Sequence, residues 1–292
     1  MSNPMAVEFG IFATPSAEHA QAVEEQVLAA ERGGLDLVGI QDHPYQRRFL
    51  DTWSLIAFLA ARTETIRFFP DVANLPLRPP AVMAKAAASI DLLSGGRFEL
   101  GLGAGAFWEG IGAMGGPVRS GPESVDALEE AIEVIRLMWS GERSVSFSGT
   151  HYSLDGVHPG PAPAHPIGIW LGAVGPRMMR VVGRLADGWI PSLPRMPLEE
   201  VPPRRQAIDD AAEKAGRDPA AIRRIANLNG RITDGARSAW LEGPPEHWVE
   251  ELTRLVSDYG FDGFVISVGD EPLEQIERFA AEVAPAVRAA SA

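Results

Sequence analysis

The stretch AKAAASIDLLSGGRFELGLGAG, residues 84–105, decides the fold. Its first half carries Ala, Ile and Leu at helical spacing. Ser94-Gly95-Gly96 ends that helix, because glycine accepts the left-handed cap conformation without a side-chain penalty. Phe98, Leu100 and Leu102 then alternate with Arg97, Glu99 and Gly101, the period of a covered strand. Gly101, Gly103 and Gly105 clear side chains from the strand's end, so something can approach the backbone there. Taken alone, this is the strand-to-loop transition of any α/β protein.

The same alternation repeats on both sides. Strands are expected at 7–13, 35–41, 66–73, 98–103, 167–173, 188–191, 222–231 and 264–267. Helices are expected at 17–32, 52–62, 81–93, 123–139, 177–185, 198–216, 248–259 and 272–289, with Asp51 as an N-cap. Pro70 falls inside the third strand and marks a local irregularity. The helix 198–216 carries a candidate break at Pro202-Pro203. Residues 104–121 read as a long loop, and 144–154, with VSFSGTHYSL, as a β-hairpin. Eight strands, each followed by a helix, predict an α/β fold, a (β/α)8 TIM barrel. The barrel is expected to form one domain over residues 1–292, with the hairpin inserted after the fourth βα unit.

Totals narrow the function. A formal charge of −13 argues against nucleic-acid and anionic-membrane partners, which select basic footprints. The absence of cysteine removes disulfides, thiolate metal sites and a cysteine nucleophile. No cleavable leader and no run of 18 apolar residues is present, so a cytoplasmic protein is expected. The two lysines, Lys85 and Lys214, lie in no P-loop, and the six histidines form no H-x-x-x-H or H-E-x-x-H pair, so no metal is expected.

Barrel chemistry sits at the C-terminal ends of the strands. Asp42-His43 at the second strand end is the sharpest polar pair there, since histidine donates hydrogen bonds and moves protons near neutral pH. A turn aspartate followed by a surface histidine would look the same. Gly172-Ala173-Val174-Gly175-Pro176-Arg177 precedes a helix and suits an anion, because free backbone N–H groups and Arg177 converge there; a plain strand-to-helix turn with an exposed arginine would look the same. Trp108 and Glu109 in the mouth loop are candidate substrate contacts or loop anchors, and Trp189 at the sixth strand end is a candidate substrate contact. His151 and Tyr152 place the hairpin either over the site or away from it as decoration. G-x-G-x-G at 101–105 is not the dinucleotide fingerprint, and no G-x-S-x-G elbow is present.

IDLLSGGRFELGLGAG, the Asp42-His43 strand end, PLRPPAVMAKAAA and IWLGAVGPRMMRVVGRLADGW together resemble the bacterial luciferase-like monooxygenase superfamily, over nearly the whole chain. The resemblance implies a barrel that uses FMN or the deazaflavin coenzyme F420 on a small organic substrate, by hydride transfer or flavin-mediated oxygenation. It implies a bulge after the third strand, often with a non-prolyl cis peptide, at Asp71, Val72, Ala73 and Asn74. It puts the cofactor phosphate at Gly172–Arg177, and Gly103, Ala104 and Gly105 on the ring or substrate side. His43 matches a position near the reactive ring. Family members imply a homodimer, for which Trp53, Phe58 and Leu59 are candidate interface residues, and a separate reductase that supplies reduced cofactor. Some deazaflavin dehydrogenases carry a glutamate where this chain has Ala106, which argues against sugar-phosphate dehydrogenation; Glu109 lies three residues on. The large insertion of the light-emitting subunits is absent. The alternative is a non-catalytic flavin-binding protein on the same barrel.

Overall fold

The computed structural model describes residues 6–291. In chain order the elements are β1 (Glu8–Ala13), α1 (Ala20–Arg32), β2 (Leu37–Ile40), α2 (Thr52–Ala60), β3 (Arg67–Pro70), β4 (Ala73–Asn74), α3 (Pro80–Ser94) and β5 (Leu100–Gly103). They continue with α4 (Trp108–Ala113), α5 (Gly121–Trp139), β6 (Val145–Ser148), β7 (Ser153–Val157), β8 (Ile169–Leu171), α6 (Pro176–Leu185) and β9 (Gly188–Trp189). The last are α7 (Val201–Lys214), β10 (Arg223–Ile232), β11 (Glu242–Gly243), α8 (Pro245–Ser257), β12 (Gly263–Val268), α9 (Pro272–Arg278) and α10 (Ala284–Ala290).

The parallel path β3-β2-β1-β12-β10-β9-β8-β5-β4 has nine segments but eight barrel positions. β3 and β4 are two halves of one position. The lower half pairs with β2, down to Ile40 beside Pro70. After Asp71-Val72 the upper half pairs with β5, Ala73 beside Leu102 and Asn74 beside Gly103. A bridge between Phe68 and Phe98 closes the barrel below the break, with Glu99 N donating to the Phe68 carbonyl at 2.9 Å. The strand expected over 66–73 is therefore interrupted. The Asp71-Val72 peptide is cis.

β5 explains its own glycines here. A Cβ at position 101 would lie 2.0 Å from the Pro70 carbonyl oxygen, and one at position 103 would lie 2.7 Å from Val72 Cγ2. What approaches this backbone is the chain's own third strand.

Alternation within each strand sorts the core. Leu37, Phe69, Trp170, Ile190, Ile225 and Val265 fill the barrel interior. Their neighbours Val38, Phe68, Ala226 and Phe264 face outward into the larger cluster under the helices. Caps fall where the residue types direct them. Asp51 accepts from Ser54 N, Gly95 takes φ 72° after α3, and Ser120 and Glu123 form a capping box on α5.

The hairpin is β6–β7, antiparallel between α5 and β8. Glu130 of α5 holds its turn by accepting from the backbone N–H groups of Thr150, His151 and Tyr152. Three local expectations change. The mouth loop contains α4. Pro202 and Pro203 sit in the first turn of α7, where a missing N–H costs nothing, so they start the helix and do not break it. The last helix is divided by a π-helical stretch, Phe279–Val283.

Ion pairs gather at the N-terminal ends of the strands. Arg67 bonds Glu8 and reaches Glu99 at 3.1 Å, and Arg223 joins Glu8 at 2.9 Å and Asp262 at 2.6 Å. This end of a barrel serves stability.

Gly101→Ala tests the crossing. Backbone, not a flexible side chain, occupies the space, so the substitution should lower unfolding stability by about 1–3 kcal/mol, the usual cost of overpacking. Urea unfolding reads it, and a loss under about 0.5 kcal/mol would contradict the packing described.

Candidate functional site

The C-terminal ends of the strands enclose a cleft of about 570 Å³, within the range of small-molecule sites. Phe12, Val72, Ile190 and Met196 give it apolar walls; His43, Asp71, Arg195 and Asn227 give it polar ones. Gly172, Ala173 and Val174 form one side. A second hollow of about 500 Å³, beside Arg231 and Trp240, shares Asn229 and Ser267 with it.

Asp71 ends the lower half of the third strand, and its N–H donates to the Ile40 carbonyl at 2.7 Å. Its side chain turns into the barrel mouth. Oδ1 accepts from Asn227 Nδ2 at 3.1 Å, while Oδ2 is buried without a partner. Asn227 Oδ1 is likewise buried and unpartnered. Burial pushes the Asp71 carboxyl up to about 7, and the Asn227 hydrogen bond opposes this only partly. Position 39 is glycine because a Cβ there would lie 2.9 Å from Asp71 Oδ2.

His43 stands at the end of β2. Its Nδ1 meets the Tyr45 hydroxyl at 2.5 Å. Burial lowers its proton affinity, with Asp42 opposing and Arg195 adding to the fall. Tyr45 stacks at a tilt on Phe107, 5.1 Å between ring centroids. Burial, and next Asp42, raise the tyrosine hydroxyl.

Asp42 differs from its neighbour. It is only 3% exposed and lies off the cleft. Its Oδ2 accepts from Asn74 N at 2.9 Å, which ties the end of β2 to the upper half of the third strand. Burial raises its carboxyl. The pair Asp42-His43 therefore splits: His43 lines the cleft, and Asp42 is drawn behind it to the Asn74 N–H.

The other expected positions scatter. Val72 lies in the cleft, whereas Ala73 and Asn74 are buried beside β5. Gly103 is packed by Val72, and Gly105 by Pro76 and Trp108, so Gly103, Ala104 and Gly105 brace the mouth behind the cleft wall. Gly175 is the N-cap of α6 and Pro176 its first residue. Arg177 points away from the cleft. It bonds Asp126, reaches Glu129 at 3.4 Å, and donates to the Pro122 carbonyl at 3.2 Å, so its charge is neutralised on α5. Trp189 is fully buried, donates Nε1–H to the Ala173 carbonyl at 3.0 Å and stacks near Phe261. It faces the helices, and the next residue, Ile190, takes the inward position, so Trp189 is packing and not a substrate contact. Trp108 packs on the mouth loop, and Glu109 is exposed and off the cleft. No hairpin residue lines the cleft. Among the described residues no group of three potential ligands gathers for a metal.

Reading by motif missed Tyr45, Arg195 and Met196; the strand-end rule reached Asn227 but assigned it no role. Asn227 had a signal: a polar side chain at an inward position of the seventh strand, between Ile225 and Asn229. Arg195 and Met196 come from an irregular segment and had none.

The Asp71 carboxyl makes a pH-dependent contribution with a definite sign. The folded protein keeps the proton up to about 7, and the unfolded chain releases it near 3.8. Stability therefore falls as pH rises across that window. Asp71→Asn should gain on the wild type between pH 4 and pH 8 in denaturant melts, and an equal difference at both would contradict the burial argument.

Comparisons with known proteins bear on the family and the fold. A family model described as luciferase-like monooxygenase matches residues 5–242. The 5,10-methylenetetrahydromethanopterin reductase of Archaeoglobus fulgidus is 32% identical over 238 residues, 80% of this chain and 68% of the relative. An F420-dependent glucose-6-phosphate dehydrogenase of Nakamurella multipartita is 31% identical over 220 residues, 73% of this chain and 64% of the relative, so the match spans less than two thirds of that enzyme. The structure of an F420-dependent secondary alcohol dehydrogenase with an F420-acetone adduct superposes with a TM-score of 0.86 at 18% identity, over 97% of this chain and 99% of that one.

Proposed function

The chain belongs to the luciferase-like monooxygenase family, and from that premise we propose an oxidoreductase, one barrel domain over residues 1–292, that binds FMN or the deazaflavin F420 in the mouth cleft and acts on a small organic substrate. The observation that carries this reading is the cleft floor. Apolar walls suit a planar ring, and the unpartnered buried oxygens of Asp71 and Asn227 suit its polar edge. The named F420-dependent dehydrogenase relative favours F420.

When bound, such a ring supplies the two-electron chemistry, and the protein supplies position and shielding. Val72 would support the ring from one face. Asp71, neutral up to about 7, and Asn227 would meet its heteroatoms. Gly172, Ala173, Val174 and Gly175, with the free N–H groups opening α6, would receive a phosphate. Arg195 is the arginine that reaches the cleft, in place of Arg177. His43, held neutral by burial, would hydrogen-bond a substrate oxygen. Phe12, Ile190 and Met196 would exclude water from the reacting faces.

A homodimer belongs to this proposal. Trp53 and Leu59 are buried, but Phe58 on α2 and Val82, Leu92 and Leu93 on α3 are exposed apolar residues on the same side of the barrel. A second copy would cover them. If FMN is the cofactor, a separate reductase would supply it reduced. No described helix is long and apolar enough to cross a membrane, and a cytoplasmic location remains part of the proposal.

Quenching of the chain's seven tryptophans tests binding. Titration with FMN and with F420 should show saturable quenching by at least one, and quenching by neither sinks the reading. His43→Ala should lower turnover with a panel of small ketones and aldehydes by about a hundredfold, the lower range for a positioned acid or base. Cofactor affinity should stay within about threefold. Binding with no turnover by the wild type would favour the non-catalytic alternative.

A further inference from the structure

The geometry points to Tyr45 as the positioning residue that sets which ring nitrogen His43 offers the cleft: the hydroxyl donates to Nδ1, so the neutral imidazole carries its proton on Nε2 and presents a hydrogen-bond donor to an acceptor oxygen, such as a carbonyl. The ligand class rests on the oxidoreductase reading above. The tautomer does not.

Three observations converge. The first is the contact itself, 2.5 Å between Nδ1 and the hydroxyl oxygen. A phenol O–H is a better donor than a neutral imidazole N–H, and a bare imidazole nitrogen a better acceptor than a phenol oxygen, so the pair forms as O–H···N; the proton stays on oxygen because a phenol holds it more tightly than an imidazolium does. The second is that the Tyr45 ring is clamped. It lies 5.4 Å from the His43 ring and 5.1 Å from Phe107, with centroids as reference. The backbone of α4 closes on the same ring: a Cβ at position 110 would stand 2.8 Å from Tyr45 Cγ and 2.5 Å from Phe107 Cδ1. The clamp fixes the hydroxyl oxygen beside His43 Nδ1. The third is that His43 lines the cleft, and among the described residues no hydrogen bond engages its Nε2.

The surrounding charges keep this state near neutral pH. Asp42 and Arg195 face the imidazole with opposite effects, and burial outweighs Asp42, so the ring stays uncharged. Asp42 and burial both keep the proton on the Tyr45 oxygen. Asp42 is thus near both groups but bonded to Asn74, so it acts through its field alone.

A donor at Nε2 is suited to polarising a carbonyl oxygen. An imidazole with the opposite tautomer would present a lone pair instead, suited to accepting a hydroxyl proton. Tyr45 therefore decides between two roles for the same histidine.

Nitrogen-15 NMR of the labelled protein at pH 8, with no cofactor added, reads the tautomer directly. The wild type should show His43 protonated at Nε2 with Nδ1 as acceptor. Tyr45→Phe keeps the ring clamp and removes the donor. It should yield a tautomer mixture and raise His43 proton affinity about threefold or more, since the neutral form loses its stabilising hydrogen bond. Protonation at Nδ1 in the wild type overturns the inference, and so does a Tyr45→Phe protein with the same tautomer and the same titration midpoint. The wild-type measurement needs no variant, so misfolding of the variant leaves a decisive result. FMN and F420 titrations of the same sample separate the two claims. Absence of binding by both removes the oxidoreductase reading and leaves the Tyr45–His43 assignment to stand on its spectrum.

Discussion

The Pro70 carbonyl oxygen lies 2.0 Å from where a side-chain carbon at position 101 would stand. That near-contact between two backbones is the constraint on which the mouth depends. It lets the third strand stop bonding to β2 at Pro70, step sideways through Asp71-Val72, and resume against β5 at Ala73. The step turns the Asp71 side chain and Val72 into the cleft. A larger residue at 101 or 103 would push the third strand away and displace both. Glycine is needed at these two positions for room, not for backbone torsion, since neither has a positive φ.

Burial then sets the electrostatics. Asp71 and His43 would ordinarily carry opposite charges over part of the physiological range. In the cleft, desolvation raises the first and lowers the second, so both tend toward neutrality near pH 7. An uncharged floor with unsatisfied hydrogen-bonding atoms suits a planar ring with a polar edge. Apart from Arg195 on the cleft wall, the charged groups named here are kept elsewhere. Arg177 is paired on α5, and the Arg67–Glu8–Arg223–Asp262 chain closes the opposite end of the barrel. The base is held by ion pairs and the mouth is left with open valences, the division of labour expected of this fold.

Much of the barrel was legible because periodicity survives local distortion. Eight strand-helix units could be counted although β9 is two residues long, since Gly188-Trp189 is flanked by two strong helices. The inserted hairpin was legible from alternation around a Ser-Gly-Thr turn. The mouth was less legible. The Trp108–Ala113 helix hides in a glycine-rich segment, and prolines that read as a helix break mark a helix start instead. His43 could be located by its place at a strand end, and the Asp71-Val72 step through the family resemblance, next to the irregularity that Pro70 marks. Trp189 and Arg177 stood near strand ends too, but side-chain direction took them out: one residue of offset on β9 puts Trp189 on the outer face, and Arg177, in the first turn of α6, turns to the carboxylates of α5.

By itself the sequence determined the order of the elements, the acidic and cysteine-free chemistry, and the placement of glycine where two backbones cross. These depend on residue type and on neighbours within a few positions. Tertiary structure alone decided that Asn227 meets Asp71 across 156 residues, that Tyr45 bonds His43 under Phe107, and that the carboxylates of α5 claim Arg177. Asn227 and Asp71, Phe107 and Tyr45, and Arg177 and α5 come from different parts of the chain, and a pattern read along one strand carries no information about what the barrel's closure brings opposite it; His43 and Tyr45 are two residues apart, but only the fold turns their side chains together under Phe107.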